Sequence, residues 1–251
     1  FALLLQADKH SQLQIIEKMI KLARIITLDT EDAIKYKNHL IAKAILTVLY
    51  TNQTGAAKRN DIFTIIAGCQ TEQFNLEAPI QGIGYVRKFR ECFLLDKNGE
   101  FMESVLITQY ITSFIDDSLD NYEAPNDHVI TIDQFVKALD FTLISDGFVR
   151  NETLYDEAMS LKVRLHSIAI SEHSEIFNCK TYMDLNGFLA TIVAKNNRKC
   201  QIINFNLEEI DDRLAKTIVK IFSKMLFVFT KRLQLRGSIP FHILIEEAHR
   251  Y

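Results

Sequence analysis

The chain has 251 residues, of which 48% are hydrophobic and 24% charged, and its formal net charge is −3. This composition is typical of a globular protein and excludes a disordered or fibrous chain. The small negative charge gives no general attraction to nucleic acid, although it does not exclude a local basic channel. The length allows one large domain or two smaller ones.

The cysteines and the hydropathy pattern predict a cellular location. Cys69, Cys92, Cys179 and Cys200 are scattered and form no C-x-x-C pair, which predicts reduced thiols in the cytoplasm and argues against a zinc site. No apolar run approaches the ~20 residues of a membrane span, so we expect no membrane contact. The chain begins at Phe1 without a targeting segment, and we expect it to be an internal fragment of a longer protein.

The first seventy residues are predicted to be helical. Apolar side chains recur at three- and four-residue steps over 12–28 and again over 33–51, which indicates two amphipathic helices. Residues 51–59 form a polar stretch, predicted to be a loop in which Gly55 is a stop signal. A short apolar helix, capped by Asn60 or Asp61, should then run through Ile66.

The stretch 70–102 is the least periodic part, and a small hairpin is expected near 80–102. It contains Pro79, Gly82 and Gly84, and the run Asp96-Lys-Asn-Gly99 is a turn signal. Aromatic and basic residues alternate over 85–93, a pattern that suits a stacking surface for single-stranded nucleic acid. A surface helix or strand with one buried edge explains the same residues more simply, and we favour that interpretation.

Helical spacing resumes after the hairpin. It predicts helices over 104–119, from Thr131 or Asp133 to Ser145, over 154–168 and over 181–193, with an acidic surface loop at 116–127. In the segment 154–168 the apolar residues step by three and four, which is the face of an antiparallel helical bundle.

The last quarter of the chain changes character. A strand-like run at 201–206 is followed by four acids, a long helix to about Leu235, a stop at Gly237 and an apolar strand at 241–246. Strand, helix and strand without a hairpin turn predict a right-handed βαβ crossover with two parallel strands. Because two strands cannot form a buried sheet, we expect the rest of the sheet to come from sequence outside this chain or from elsewhere within it.

Two carboxylates, Glu246 and Glu247, follow the apolar strand directly. Open α/β sheets bind their ligands at this end of their strands. In a Walker B site the first acid reaches a Mg²⁺-bound water and the second activates the attacking water. The alternative is an ordinary strand followed by a solvated acidic turn. None of the eight glycines begins a G-x-x-x-x-G-K-[ST] loop, so this chain by itself should not bind ATP tightly.

The ending Ile-Glu-Glu-Ala-His-Arg-Tyr, together with the strand-like run 201–206 and the long helix before it, resembles the HerA-type ATPases of the HerA/FtsK group. The resemblance aligns Glu246 with the Walker B acid, which binds Mg²⁺ through water, and Glu247 with the catalytic glutamate. It also implies that residues 1–195 are the family's helical insertion and that residues 196–251 are part of a RecA-like P-loop core. The fold class expected is α/β, predominantly helical, with the insertion bundle before the Walker B βαβ unit.

The resemblance further implies a hexameric ring that hydrolyses Mg-ATP to move on DNA as a translocase or helicase. A nuclease or an anti-phage effector would be its protein partner. His249 could sense the γ-phosphate or couple neighbouring subunits, or it could simply be hydrogen-bonded at the sheet edge. Two other functions stay open: a non-catalytic helical interaction module and a related conjugation or secretion ATPase.

Overall fold

The computed structural model describes residues 1–125, 128–145, 152–178, 181–195, 198–199, 202–233 and 242–246. The chain divides into two compact units, one formed by residues 8–180 and the other by residues 1–7 with 181–251. The described chain as a whole is predominantly helical, as expected. Among the described residues, no helix combines the length and apolar character needed to cross a membrane. The boundary expected at 195/196 stays a prediction.

The described residues of the unit 8–180 form helices and short antiparallel turns, and most of the helices lie where the periodicity predicted them. The unit also contains the 3₁₀ turns Asp117–Asn121 and Glu172–Phe177. The elements are α1 (His10–Ile26), α2 (Glu31–Leu49), α3 (Gly55–Cys69), β1 (Pro79–Gly82), β2 (Tyr85–Lys88), α4 (Phe89–Cys92), α5 (Ser104–Thr112), α6 (Ile132–Ser145) and α7 (Glu152–Ala169).

Helix α6 is the centre of this unit and packs against α1, α2, α3 and α7. Its apolar side chains recur every three or four residues, so one face is buried while the charged residues stay outside. Helix α1 buries the same kind of stripe, including Ile15 and Met19, which are fully buried. The predicted helical bundle is therefore confirmed. The buried face of α6 consists of Ile132, Phe135, Ala138, Leu139, Phe141, Thr142 and Leu143.

Helix α3 begins six or seven residues earlier than predicted, because its cap is Thr54 and not Asn60 or Asp61. The Thr54 side chain accepts a hydrogen bond from the backbone N–H of Ala57 at 3.3 Å and so caps the helix at Gly55. Gly55 is the first helical residue, and the expectation that it stops a helix is wrong. The alanines and Lys58 that follow it are good helix formers, and they extend the helix once Thr54 caps it.

The hairpin expected near 80–102 is confirmed. Strands β1 and β2 pair antiparallel, with Gly82 opposite Tyr85, and Gly84 in the connecting turn has a φ of 80°. This left-handed conformation is open to glycine at no steric cost. The Tyr85 ring lies directly over Gly82, where a Cβ atom would come within 2.5 Å of it. A second turn, over 96–99, is closed by a bridge between Leu95 and Phe101.

The aromatic residues of 85–93 belong mostly to the core. Phe89 and Phe93 are fully buried, with ring centroids 4.9 Å apart. The basic side chains on either side of Phe89 are ion-paired: Lys88 and Arg90 both contact the Glu77 carboxylate at 2.8 Å. The interpretation as a surface element with one buried edge is therefore confirmed, and the stacking surface for nucleic acid is not formed by these rings.

The second unit contains α8 (Leu185–Val193), a minimal antiparallel pair of β3 (Ala194–Lys195) with β4 (Arg198–Lys199), and the long helix α9 (Asp212–Arg232). The Asp211 carboxylate caps α9 by accepting hydrogen bonds from the N–H groups of Arg213 and Leu214. Asp212 in the first turn and Lys231 and Arg232 in the last complement the helix dipole. The predicted long helix is confirmed.

In the part of the chain that the structure describes, the two segments predicted to be parallel strands on either side of α9 are not paired as strands. The described parts of these segments, 202–206 and 242–246, lie outside helices and strands, and their side chains are exposed. A parallel strand needs neighbours to satisfy its backbone N–H and C=O groups, and no described strand pairs with either segment. The α/β character of the prediction therefore rests on segments that are not paired in this structure.

Candidate functional site

The predicted site lies at the end of the second unit. Glu246 is described, and it is exposed at a turn directly after the apolar run. Glu247 and His249 lie outside the described residues. Of the three candidate side chains, the structure therefore gives the position of Glu246 alone. It gives no distance between any two of the three.

The apolar run before Glu246 is exposed. Leu244 is 93% exposed, and Ile243 and Ile245 are exposed by a little under half. The run before α9 has the same property, since Ile202 is 89% exposed. Contiguous apolar surface of this kind marks a site of interaction with other protein segments.

Helix α9 lies beside these runs in sequence and contacts the first one. Phe205 packs edge-to-face on Phe222, with ring centroids 4.6 Å apart. Only the first part of α9 is well covered: Leu214, Ala215 and Thr217 are buried. Further along, Ile221 and Phe227 are exposed, Phe227 by 59%. An amphipathic helix with a half-covered apolar face can accept further strands or helices on that face.

A second polar constellation, centred on His39 of α2, was not predicted from the sequence. The His39 ring is fully inaccessible to solvent, and its Nδ1 accepts a hydrogen bond from the backbone N–H of Asp116 at 3.0 Å. The other nitrogen, Nε2, therefore carries the proton and donates to the Asp120 carboxylate at 2.8 Å. His39 thus ties the acidic segment 116–120 to α2.

Charge supports this tether. Lys43 donates to both carboxylate oxygens of Asp120 at 2.7 and 2.9 Å. The hydrogen bond from Lys43, followed by that from His39, holds the pKa of Asp120 below its ordinary value, and the same contact raises the pKa of Lys43. With both ring nitrogens used, His39 has no free atom for a ligand or a substrate. The sequence gives little sign of this cluster, because His39 lies on an apolar helix face and its hydrogen-bond partners belong to residues 116–120, which are distant along the chain.

The remaining histidines and cysteines form no further constellation in the part of the chain that the structure describes. There, no three His, Cys, Asp or Glu side chains are arranged to hold a metal ion. His166, for which the sequence suggested no metal or triad chemistry, has a buried Nε2 without a hydrogen-bond partner among the described residues. Cys69 and Cys92 are buried free thiols, and burial raises the pKa of Cys69 to about 12.

Comparison of this chain with protein-family models, with curated proteins and with solved structures finds no match. The geometry and the sequence pattern are therefore the basis for a functional proposal.

Proposed function

We propose that this chain is part of a HerA-type motor in which hydrolysis of Mg-ATP drives movement on DNA. The observation that supports this most is the long helix α9 between two exposed apolar segments, the second of which ends in Glu246 and Glu247. In this proposal, 202–206 and 242–246 are parallel strands of a RecA-like core, and α9 is the crossover helix between them.

Exposure of these segments supports the proposal energetically. Burying a side chain such as Leu244 or Ile202 stabilises a protein by about 1.5–3 kcal/mol, and in this chain both are left almost wholly in water. Strands in a parallel sheet are buried on both faces and therefore read as continuous apolar runs. Further strands of the complete protein would cover them, together with Ile221 and Phe227 of α9.

The chemistry assigned to the acids follows from their types and positions. A carboxylate oxygen is the ligand type that Mg²⁺ and its bound waters accept, and the Glu246 side chain is exposed and available for this role. Glu247 takes the position of the base that orients and deprotonates the attacking water. His249 is assigned contact with the γ-phosphate. Bound Mg²⁺ contributes charge neutralisation on the phosphates; the loop that holds them is absent from these 251 residues.

In this proposal, residues 1–195 are the helical insertion of the motor and 196–251 the Walker B half of its core. The helical unit 8–180 supports the first assignment, because it buries a core of its own. The motor is a cytoplasmic hexameric ring acting on DNA, with a nuclease or an anti-phage effector as partner. A conjugation or secretion ATPase with the same core is the nearest alternative and would differ in its partner.

The experiment uses the complete protein. Its polypeptide should contain a G-x-x-x-x-G-K-[ST] loop upstream of Phe1, within about 150 residues, a generous domain length. The purified protein should hydrolyse ATP in the presence of Mg²⁺, and double-stranded DNA should stimulate the rate. Absence of the loop, or of hydrolysis with and without DNA, would overturn the proposal.

A second candidate, a non-catalytic helical interaction module, is favoured by one observation. Near the hairpin of the unit 8–180, Ile83, Val86, Met102 and Val105 are all more than half exposed. Such apolar side chains suit a protein partner. The same ATPase measurement separates the two functions, since an interaction module has neither the phosphate loop nor hydrolysis.

A further inference from the structure

A groove of about 400 Å³ opens on the helical unit between α3 and α4. This volume lies within the range of roughly 300–1,000 Å³ that is usual for small-molecule sites. Arg59, Asn60 and Phe63 line it from α3. Arg90, Glu91 and Leu94 line it from α4 and the residues that follow.

Each wall of the groove contributes an arginine and a phenylalanine. Arg59 and Phe63 are four residues apart on α3 and therefore lie on one face of the helix. On the other wall, Phe93 follows Arg90 by three residues. The walls meet where Phe63 contacts Phe93 edge-to-face, with ring centroids 5.8 Å apart. The groove therefore combines an aromatic contact with two guanidinium groups.

Both guanidiniums have donors left for a ligand. Arg90 contacts the Glu77 carboxylate through Nη1 at 2.8 Å, and a guanidinium has five N–H donors in all. No described residue forms an ion pair or a hydrogen bond with the Arg59 side chain. Guanidinium groups are the ones that proteins use to bind phosphate or carboxylate bidentately.

The surrounding charges select against a polyanion. Glu91 lines the same groove, and the Glu77 carboxylate pairs with both Arg90 and Lys88. Three basic side chains beside two glutamates leave a small net positive charge, which gives little long-range attraction for a nucleic-acid backbone. They suit one oxyanion held at close range.

We propose that this groove binds a small organic oxyanion, a phosphate or a carboxylate carried on an aromatic ring. The Arg59 and Arg90 guanidiniums bind the oxyanion, and the ring lies against Phe63 and Leu94. The site belongs to the unit 8–180, and it is independent of the proposed ATPase.

Isothermal titration of the 251-residue chain tests the site. The probes are adenosine 5′-monophosphate and indole-3-acetate for the two oxyanions, adenosine and inorganic phosphate for the separate parts, and a 20-nucleotide single strand for a polyanion. We expect one of the two ring-bearing oxyanions to bind at least about tenfold more tightly than adenosine, inorganic phosphate or the single strand. Comparison of adenosine 5′-monophosphate with indole-3-acetate then shows which of the two ring-bearing oxyanions the groove prefers.

Variants locate the binding. Arg59→Gln and Arg90→Gln should each weaken binding by about tenfold or more. Glu77→Gln, which breaks the ion pair but keeps the Arg90 guanidinium, should not weaken it. Lys21→Gln removes the same charge from an exposed position on α1 and should change nothing. The proposal is overturned if neither ring-bearing probe binds, if both arginine variants bind like the wild type, or if the single strand binds more tightly than either probe.

Discussion

The Phe205 ring lies edge-to-face on the Phe222 ring, with centroids 4.6 Å apart. This contact holds the run 202–206 against α9, although no strand pairs with that run in the described residues. Among the described residues, this contact allows the proposed order of strand, crossover helix and strand to be tested.

Replacing Phe222 with Leu should release Phe205. An edge-to-face pair contributes about 0.5–1.5 kcal/mol beyond its buried area, so without it the Phe205 ring becomes free to leave the helix. In an NMR spectrum, the Phe205 ring protons should lose their ring-current shift and move to random-coil positions. Phe227→Leu, on the exposed part of the same helix, should leave these protons unchanged. If both variants leave them unchanged, the contact does not exist in solution.

The tether of residues 116–120 to α2 should make stability depend on pH in the acid range. Hydrogen bonds from Lys43 and His39 lower the pKa of Asp120. A carboxyl whose folded-state pKa is lowered stabilises the fold at pH values above its ordinary pKa of about 3.9, and this stability is lost as the pH falls through the lowered value. Asp120→Asn should therefore reduce the difference in free energy of unfolding between pH 7 and pH 3.

Urea unfolding at the two pH values measures that difference. Asp156→Asn, an exposed position on α7, is the matched control and should keep the wild-type pH dependence. A pH dependence of Asp120→Asn equal to that of the wild type would show that the tether contributes nothing.

The buried histidine of the tether should matter more than an exposed one. His39→Phe removes the acceptor of the Asp116 N–H and the donor to the Asp120 carboxylate, and the loss of these two hydrogen bonds should cost about 1–3 kcal/mol in total. His10→Phe changes an exposed residue of α1 and should change the free energy of unfolding by less than about 0.5 kcal/mol. Equal effects of the two variants on urea unfolding would contradict the described geometry.

Gly55 should tolerate no side chain. A Cβ atom there would lie 2.1 Å from the Gly99 carbonyl oxygen and 2.6 Å from Leu95 Cδ2. Gly55→Ala should therefore destabilise the fold by about 1–3 kcal/mol, as overpacking does. Gly68→Ala, in the same helix, meets its nearest atom at 3.4 Å and should be neutral or stabilising by up to about 1 kcal/mol. Similar unfolding midpoints for the two variants would contradict this packing.

Local sequence patterns predicted the helices well. They failed where a contact between residues far apart in the sequence determines the local structure. The stripes of α1, α6 and α9 are visible in the sequence because each helix repeats its own period. Gly55 was expected to stop a helix. This expectation failed because the role of Gly55 depends on the Thr54 cap and on a close approach by Gly99, 44 positions away. His39 was missed for the same reason, since its partners lie 77 and 81 residues later.

The candidate site shows the same limit. Continuous apolar character at 242–246 is a property of the sequence itself, and the structure leaves those side chains exposed. Pairing into a sheet is not local, because each strand needs neighbours supplied from elsewhere. In the chain described here no strand is supplied to either segment. The run and the acid Glu246 could therefore be recognised from the sequence, while their pairing and the positions of Glu247 and His249 could not.

Hydrolysis and binding of ATP by the complete protein carrying Glu247→Gln test the central claim most directly. The variant should still bind Mg-ATP with near wild-type affinity, because Glu247 is assigned to activate water and not to hold the nucleotide. Its hydrolysis rate should fall by at least about 100-fold, the lower range of what a general base contributes. Glu72→Gln, an exposed residue of the helical unit, should hydrolyse ATP like the wild type. A normal hydrolysis rate in Glu247→Gln would contradict the assignment of a Walker B site to residues 242–247.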